Sequence, residues 1–398
     1  MKEWVSWVGA FLILLGVGGE TMAEGRDRVR LCMMVLYKYE LHTLFHSLVY
    51  HWLVGIDELM ICVDDRSDRH SVSDEEFETW RRLLEVVPGA RVRRASEVMR
   101  EELLQQEYVR ACFAEALKEK SAKWVLGMDG DEYMVPEKLV REEWTSEALG
   151  AQLRGARAWA EDTNGLQQRP NVLRFDAGEY LAKYSRGVNA LVVPRMNYSP
   201  MAGALGNASL VPRPPVRELG DMYFEPQLYN VSLGQYTCFP KPLTRVMEGM
   251  QPNVHDSSRL VGKKWKKQPR IILSPSKNGK TMMMCEQQKT ALGTHKGLRL
   301  GNEYKGMSIF HYDSRSDEEC RFKKAFSSTG KLAVNHQSGG GRRGRRGKYG
   351  CKGVSPLPTW SSDEKWEQHY LIHISPVVQF VAQTFLNHTR SNGYVTMN

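Results

Sequence analysis

The sequence lacks the motifs of several familiar enzyme classes. It contains no Gly-x-x-x-x-Gly-Lys-Ser/Thr loop, no His-Glu-x-x-His pair and no Gly-x-Ser-x-Gly turn, which count against a P-loop hydrolase, a zinc protease and a serine hydrolase. Apart from one apolar run near its start it has no long hydrophobic stretch, which excludes a protein with many membrane spans. The 7 cysteines include no Cys-x-x-Cys pair, and this excludes the redox and zinc motifs built on that spacing.

The composition is that of a globular protein with excess positive charge. Of 398 residues, 41% are hydrophobic and 25% are charged, and these values exclude a wholly disordered chain. The 55 lysines and arginines outnumber the 46 acidic residues, for a net charge of +9. A basic balance favours an anionic partner, which is nucleic acid, an acidic membrane surface or a phosphorylated substrate. The length allows one large two-part domain or two smaller ones.

Residues 1–23 are typical of an export signal. Lys2 precedes an uncharged apolar run from Trp4 to Gly19, which at roughly 1.5 Å per residue is short for a hydrocarbon layer of about 30 Å. Small residues permit cleavage after Ala23. We therefore expect a signal peptide or, alternatively, a signal anchor that attaches the chain to a membrane. Both lead to the secretory pathway, with the protein in the Golgi or ER lumen, membrane-anchored or secreted.

Sequons and cysteines bear on the same question. Four Asn-x-Ser/Thr sequons fit a lumenal location, at Asn197, Asn207, Asn230 and Asn387. Cys32 and Cys62 lie in apolar strand-like runs, so we expect core thiols there. The later cysteines, which are Cys238, Cys285, Cys320 and Cys351, allow one or two disulfides, and their spacing does not indicate which of them pair.

The chain after the signal alternates strand-like and helix-like patterns. The continuous apolar run Leu31–Tyr37 predicts a strand covered on both faces. Apolar residues spaced three and four apart from Leu41 to Leu53 predict a helix that ends at Gly55. Leu59–Val63 predicts a second strand. Strand, helix and strand of this length indicate a βαβ unit with a parallel pair.

The pattern changes further along the chain. A long helix over Glu97–Lys120 and a third strand over Trp124–Met128 complete the prediction of an open α/β sheet. From Trp144 to Pro242, frequent Pro, Gly and Asn predict loops and short strands around a binding surface. The Gly/Arg repeats within 339–353 predict a disordered basic segment. A helical apolar pattern returns after Pro376.

Acidic residues follow two of the predicted strands. Asp64 and Asp65 close the second strand, and Asp129 and Asp131 follow the third. Open parallel sheets bind ligands outside the carboxyl ends of their strands. Clustered carboxylates repel each other, so a cation is their natural partner, and Mg²⁺ or Mn²⁺ often shares such ligands with substrate phosphates. The pair at Asp129 and Asp131 therefore predicts a metal site, whereas solvated turn acids are the simpler interpretation of Asp64 and Asp65 alone.

Short motifs between about residue 30 and residue 324 follow the order of one known enzyme family. The first group is Lys38-Tyr-Glu40, Tyr50-His51, Gly55-Ile-Asp57 and Val63-Asp-Asp-Arg-Ser67. The central motif is Lys123–Tyr133, which contains Asp-Gly-Asp-Glu. The last group is Lys241–Val246, Val254-His255, Met307–Tyr312 and Ser316–Lys323. With these motifs the chain resembles the family 92 glycosyltransferases.

The resemblance implies a GT-A type nucleotide-diphospho-sugar transferase fold, which is a Rossmann-like open mixed sheet flanked by helices. It implies a glycosyltransferase domain over 28–335, with a nucleotide-sugar-binding half at 28–143 and an acceptor half at 144–335. A basic linker at 336–356 and a C-terminal tail with a short helix at 357–398 would follow. The implied reaction is inverting transfer of a sugar, such as galactose, from a UDP-sugar to a glycan acceptor, with Mn²⁺ or Mg²⁺.

The resemblance also suggests which residues bind. Metal ligands would be Asp131 and Asp129, and a late histidine, His255 or His311, would ligate the metal or contact phosphate. The residues facing the nucleotide would be Asp64, Asp65, Ser67 and, at the phosphates, Lys241.

The catalytic base should be a carboxylate on the acceptor side of the metal motif, because it must remove a proton from the acceptor hydroxyl. The candidates are Asp221, Glu225 and Glu179. Two other functions stay open. One is a catalytically inactive relative that binds glycan or nucleotide-sugar. The other is nucleic-acid binding through the basic tract Arg342–Arg346. A lumenal location disfavours the second, so no nucleic-acid partner is expected.

Overall fold

The computed structural model describes residues 25–35, 41–65, 73–98, 105–136, 145–162, 168–184, 188–200, 232–252, 259–260, 271–273, 307–312 and 374–391. These residues form a nine-stranded mixed sheet with flanking helices and a separate two-stranded ribbon. The α/β architecture with a Rossmann-like parallel part agrees with the prediction. Among the described residues, no helix combines the length and the apolar character needed to cross a bilayer.

The predicted βαβ unit is confirmed. Strand β1 (Val29–Val35) and strand β2 (Glu58–Val63) are buried along their whole length and pair in parallel. Helix α1 (Leu41–Leu53) connects them. Gly55 follows the helix with φ of +103°, and an added Cβ there would collide with the backbone nitrogen of Ala177. Only glycine meets both conditions at this position.

The parallel part continues on both sides of this unit. Helix α2 (Asp74–Leu84) leads to β3 (Ala90–Arg94), which pairs in parallel with β2 at the edge of the sheet. In place of one long helix over 97–120, the structure has a short helix α3 (Ala95–Val98) and a longer helix α4 (Gln105–Glu119). Strand β4 (Trp124–Asp129) pairs in parallel with β1, as predicted.

The region from Trp144 to Pro242 is more regular than predicted. It contains helix α5 (Ser146–Glu161), helix α6 (Ala177–Ala182) and two long antiparallel strands, β6 (Ala190–Pro200) and β7 (Ser232–Arg245). Strand β7 also pairs with β4, and this pairing joins the antiparallel part of the sheet to the parallel part. The expectation of loops and short strands is therefore wrong for the described residues of this region.

The remaining five strands of the described residues are short. The ribbon consists of β8 (Met250–Gln251) and β9 (Arg259–Leu260), and β10 (Ile271–Leu273) pairs with β6. Strand β11 (Met307–Tyr312) pairs with β6 and with β5 (Glu132–Pro136), in the order β3-β2-β1-β4-β7-β6-β11-β5.

The sheet must curve to accommodate β5. Only Gly130 and Asp131 separate β5 from β4, yet three strands stand between them in the sheet order. The register of β6 against β7 shifts between Val193 and Arg195. Such irregularities bend a strand, and this one lies just where β11 begins to pair with β6. The irregularity therefore lies in the part of the sheet that must curve between β4 and β5.

The C-terminal helix belongs to the main core. Helix α7 (Ser375–Ser391) packs against α1 and α5. Rings of Trp52, Trp159 and Phe385, one from each helix, meet with centroids 5.4 to 6.0 Å apart. The helix expected in the C-terminal tail thus covers the apolar face of α1.

A disulfide joins Cys32 of β1 to Cys112 of α4. The expectation that Cys32 is a core thiol is therefore wrong, because the fold brings together two buried cysteines that are 80 residues apart in sequence. Cys62 is buried in β2, as expected. The side chain of Cys238 and the whole of Cys285, Cys320 and Cys351 lie outside the described part of the chain.

Candidate metal site

Three side chains that can ligate a metal meet at the carboxyl end of β4. The ligand atoms of Asp129, Asp131 and His311 all lie within 4.8 Å of one another. Asp129 ends β4, and Asp131 stands in the short connection to β5. His311 comes from β11, where antiparallel pairing sets it opposite Glu132. Curvature of the sheet thus joins residues that are far apart in sequence.

The cluster is mostly withdrawn from water. Asp131 is 3% exposed and His311 is 6% exposed, and Nε2 of His311 lies 3.4 Å from Oδ1 of Asp131. The side chain of Asp129 is more open, with 22% exposed. Burial of carboxylates is costly unless positive charge accompanies them. The arrangement therefore calls for a cation at or beside these oxygens.

Lys241 supplies one positive charge from within the protein. Its side chain is 0% exposed, and its Nζ lies 3.1 Å from Oδ2 of Asp129 and 3.0 Å from Oε2 of Glu132. Strand β7 sets this position. Leu243 of β7 pairs with Leu126 of β4, and the two strands are antiparallel, so Lys241 lies two residues closer to the carboxyl end of β4. The residue expected at a donor phosphate is thus bound to two of the site's own carboxylates.

Two further contacts orient Asp129. Oε2 of Glu132 accepts a hydrogen bond from the backbone N–H of Asp129 at 2.9 Å. The side-chain amide of Gln105, the first residue of α4, donates to Oδ1 of Asp129. Sequence reasoning passed over Gln105, because a glutamine in a polar stretch belongs to no recognised motif.

Helix α1 holds the backbone of β5 in place. The Tyr50 hydroxyl donates to the carbonyl of Met134 at 3.0 Å, and Nε2 of His51 accepts from the Met134 N–H at 3.2 Å. Nδ1 of His51 lies 2.8 Å from the Ser47 carbonyl, so this nitrogen carries the hydrogen and the ring is neutral. Burial lowers the pKa of His51 to about 4. Tyr50 and His51 therefore provide hydrogen-bond partners for the backbone C=O and N–H of Met134 in β5, the last strand in the sheet order.

Asp64 and Asp65 follow β2 at the same edge of the sheet as Asp129. Asp65 accepts hydrogen bonds from the backbone nitrogen of Ser96 at 3.0 Å and from its hydroxyl at 2.5 Å. This carboxylate thus ties the end of β2 to α3. A contact between either aspartate and a nucleoside stays a prediction. Four other candidates, and the basic tract, lie outside the described residues: Ser67, Asp221, Glu225, His255 and Arg342–Arg346.

Glu179 lies at the opposite edge of the sheet. It lines a cavity of about 570 Å³ together with Arg28, Asp57 and Gly89, which directly precede β1, β2 and β3. A seven-residue strand such as β1 spans roughly 20 Å. A catalytic base must reach the acceptor hydroxyl within hydrogen-bonding distance. The structure therefore removes Glu179 from the candidates for a base at the Asp129 end.

Charges at that opposite edge are paired within the protein. Arg26 lies 2.6 Å from Asp57 and 3.0 Å from Asp176, and Arg169 lies 2.9 Å from Asp176. Asp176 also caps α6 by accepting from the backbone N–H of Glu179 at 2.9 Å. Two arginines and two aspartates thus form a balanced network that ties α6 to the sheet.

No protein-family model matches this chain, and no curated protein matches it either. A functional assignment therefore depends on the residues of the site and their chemistry.

The cluster at β4 combines ligand types that suit a divalent cation. Among the described residues, the carboxylates of Asp129 and Glu132 contact the ammonium of Lys241, and Asp131 contacts His311. The donor set fits such an ion, since aspartate oxygens suit Mn²⁺ and Mg²⁺ and a neutral imidazole also ligates divalent metals.

Proposed function

We propose that this protein is a metal-dependent glycosyltransferase that moves a sugar, such as galactose, from a UDP-sugar to a glycan acceptor. The supporting observation is the convergence of Asp129, Asp131 and His311, with their ligand atoms within 4.8 Å of one another, beyond the carboxyl ends of parallel strands. Ligands of such sheets bind at this edge. The motif resemblance suggests the reaction class, which belongs with a GT-A type fold.

Asp131, His311 and Asp129 would hold Mn²⁺ or Mg²⁺ in this proposal. The ion supplies Lewis-acid stabilisation of the charge that develops on the leaving diphosphate. The protein's own part is to fix the ligands. Gln105 and Lys241 orient Asp129, and α1 holds β5, so little reorganisation accompanies binding.

The acceptor side completes the proposed mechanism. A carboxylate beyond the metal motif, with Asp221 and Glu225 as candidates, removes the proton of the acceptor hydroxyl, which contributes roughly 10²–10⁴-fold to the rate. Direct displacement then inverts the anomeric carbon. The Cys32–Cys112 disulfide supports a secretory location, because such bonds persist in oxidising compartments.

A donor screen tests this proposal. The full chain, expressed through a secretory pathway, is incubated with UDP- and GDP-sugars, a broad panel of glycan acceptors and Mn²⁺. We expect UDP release with one donor, its loss with EDTA, and its loss in Asp131→Ala. Absence of release with every donor contradicts a transferase.

A second candidate is a relative that binds a nucleotide-sugar without turnover. It is favoured by the position of Glu179, because the one candidate base within the described residues lies at the opposite edge of the sheet from Asp129. UDP binding that depends on Mn²⁺, without release of UDP in the screen, would establish this function.

A further inference from the structure

We infer that Lys241 sets the ligand specificity of the metal site: its ammonium weakens binding of a free divalent ion and favours the ion together with a nucleoside diphosphate. This inference rests on the proposed function and concerns the same site.

Lys241 lies among the carboxylates of the cluster. Its side chain is 0% exposed, and its Nζ contacts Asp129 at 3.1 Å and Glu132 at 3.0 Å. Asp129 is also one of the three residues of the cluster that could ligate a metal. An ion on Asp129 would therefore share this carboxylate with the ammonium, and charges so close interact strongly inside a protein.

A free divalent ion would meet the positive charge of Lys241 beside Asp129. Like charges repel each other, so the ammonium weakens the binding of Mn²⁺ alone. Replacing the ammonium with an apolar group should therefore tighten the binding of Mn²⁺.

A nucleoside diphosphate would respond to the same charge in the opposite direction. Once a divalent ion is bound, the site with Lys241 carries one more positive charge than a site with an apolar residue in its place. A nucleoside diphosphate is an anion, so the native site should bind it better. Loss of Lys241 therefore has opposite effects on the two ligands, which loss of a merely structural residue would not produce.

The test compares wild type with Lys241→Met by calorimetry, first with Mn²⁺ alone and then with UDP at saturating Mn²⁺. We expect the Kd for Mn²⁺ to fall about tenfold and the Kd for UDP to rise about tenfold. Unchanged affinities, or a loss of both, in a folded variant would overturn the inference.

Two more variants keep the test valid if Lys241→Met does not fold, since it leaves two buried carboxylates without this ammonium. Glu132→Gln removes one negative charge and should raise the Kd for Mn²⁺ about tenfold. The double variant Lys241→Met/Glu132→Gln removes one positive and one negative charge, so it keeps the net charge of wild type and should bind Mn²⁺ within about threefold of it. A double variant that binds Mn²⁺ no better than Glu132→Gln contradicts the charge argument.

Titrations of the wild-type protein distinguish a failure of the proposed function from a failure of the inference about Lys241. A wild-type protein that binds neither Mn²⁺ nor UDP contradicts the proposed function itself. A wild type that binds both, with a Lys241→Met variant that loses both, contradicts only the role of Lys241.

Discussion

The two edges of the parallel part of the sheet arrange their acidic residues differently. Before the strands, Arg26 and Arg169 form ion pairs with Asp57 and Asp176. After the strands, Asp129, Asp131 and His311 converge so that their ligand atoms lie within 4.8 Å of one another. The first arrangement is a set of ion pairs, while the second has the ligand types that suit a metal.

The comparison indicates that the size of a cavity is not enough to identify a ligand site. The cavity of about 570 Å³ lies at the edge with the ion pairs. Its arginines Arg26 and Arg169 are bound to Asp176, which caps α6. At the other edge the convergence of metal-ligating atoms, rather than a cavity, indicates the site.

The largest effect on stability is expected from the disulfide that holds α4, and with it Gln105, against β1. Replacing Cys32 and Cys112 with alanine should lower the free energy of unfolding by about 4 kcal/mol, because the bond closes a loop of 80 residues. Urea denaturation measures this loss. A reducing agent should reproduce it in wild type and leave the double variant unchanged. Equal stability of oxidised and reduced wild type would contradict the prediction.

Removing the ion pairs that lie before the strands should affect folding and not metal binding. Asp176→Ala removes the partner of Arg26 and Arg169 and the cap of α6, so we expect a loss of about 3 kcal/mol in unfolding free energy. Urea denaturation and a Mn²⁺ titration of the folded fraction measure the two properties. The matched control is Asp74→Ala, whose side chain is 95% exposed. A change of more than about threefold in the Mn²⁺ affinity of Asp176→Ala would show that this edge also affects metal binding, and would contradict the prediction.

Acid should weaken the support of β5 through His51. Its pKa is about 4 in the folded protein and 6.5 in a free chain, so the unfolded state gains a proton first as pH falls. Stability from this group is complete above pH 6.5 and declines below it, by at most about 3 kcal/mol near pH 4. Unfolding measured against pH for wild type and His51→Gln isolates the effect. Parallel curves for the two proteins would contradict it.

The smallest effect is expected from Gln105, which touches the cluster without joining it. Gln105→Ala should weaken Mn²⁺ binding about tenfold, which is about 1.4 kcal/mol, because residues that orient metal ligands contribute on this scale. Gln106→Ala, one position along α4, is the matched control. Equal affinities of the two variants would show that Gln105 does not orient Asp129.

The sequence predicts those elements of the fold in which burial alone determines where the apolar residues fall. Strands β1, β2 and β4 are covered on both faces and therefore contain continuous apolar runs, and α1 has a clear helical period. Strand β3 escapes detection because Arg91, Arg93 and Arg94 interrupt it. Strand β5 escapes because it begins at Glu132, which reads as part of an acidic turn. Helix α5 is rich in alanine and glycine and has few large apolar residues.

The candidate site is likewise predictable from sequence only in part. Asp129 and Asp131 are visible in sequence because they follow an apolar strand. Their contacts with Lys241 and Gln105 depend on β7 and α4, and the bend of the sheet that delivers His311 depends on the register shift in β6. Residues so distant in sequence leave no local pattern from which their contacts could be predicted.

Calorimetric titration of UDP in the presence and absence of Mn²⁺ tests the central claim most directly. For wild type and for the exposed control Asp74→Ala, we predict UDP binding that requires Mn²⁺. For Asp131→Ala, the affinity should fall at least about 100-fold while the unfolding transition is retained. If folded Asp131→Ala binds UDP and Mn²⁺ as tightly as wild type does, the cluster at the end of β4 is not a metal site.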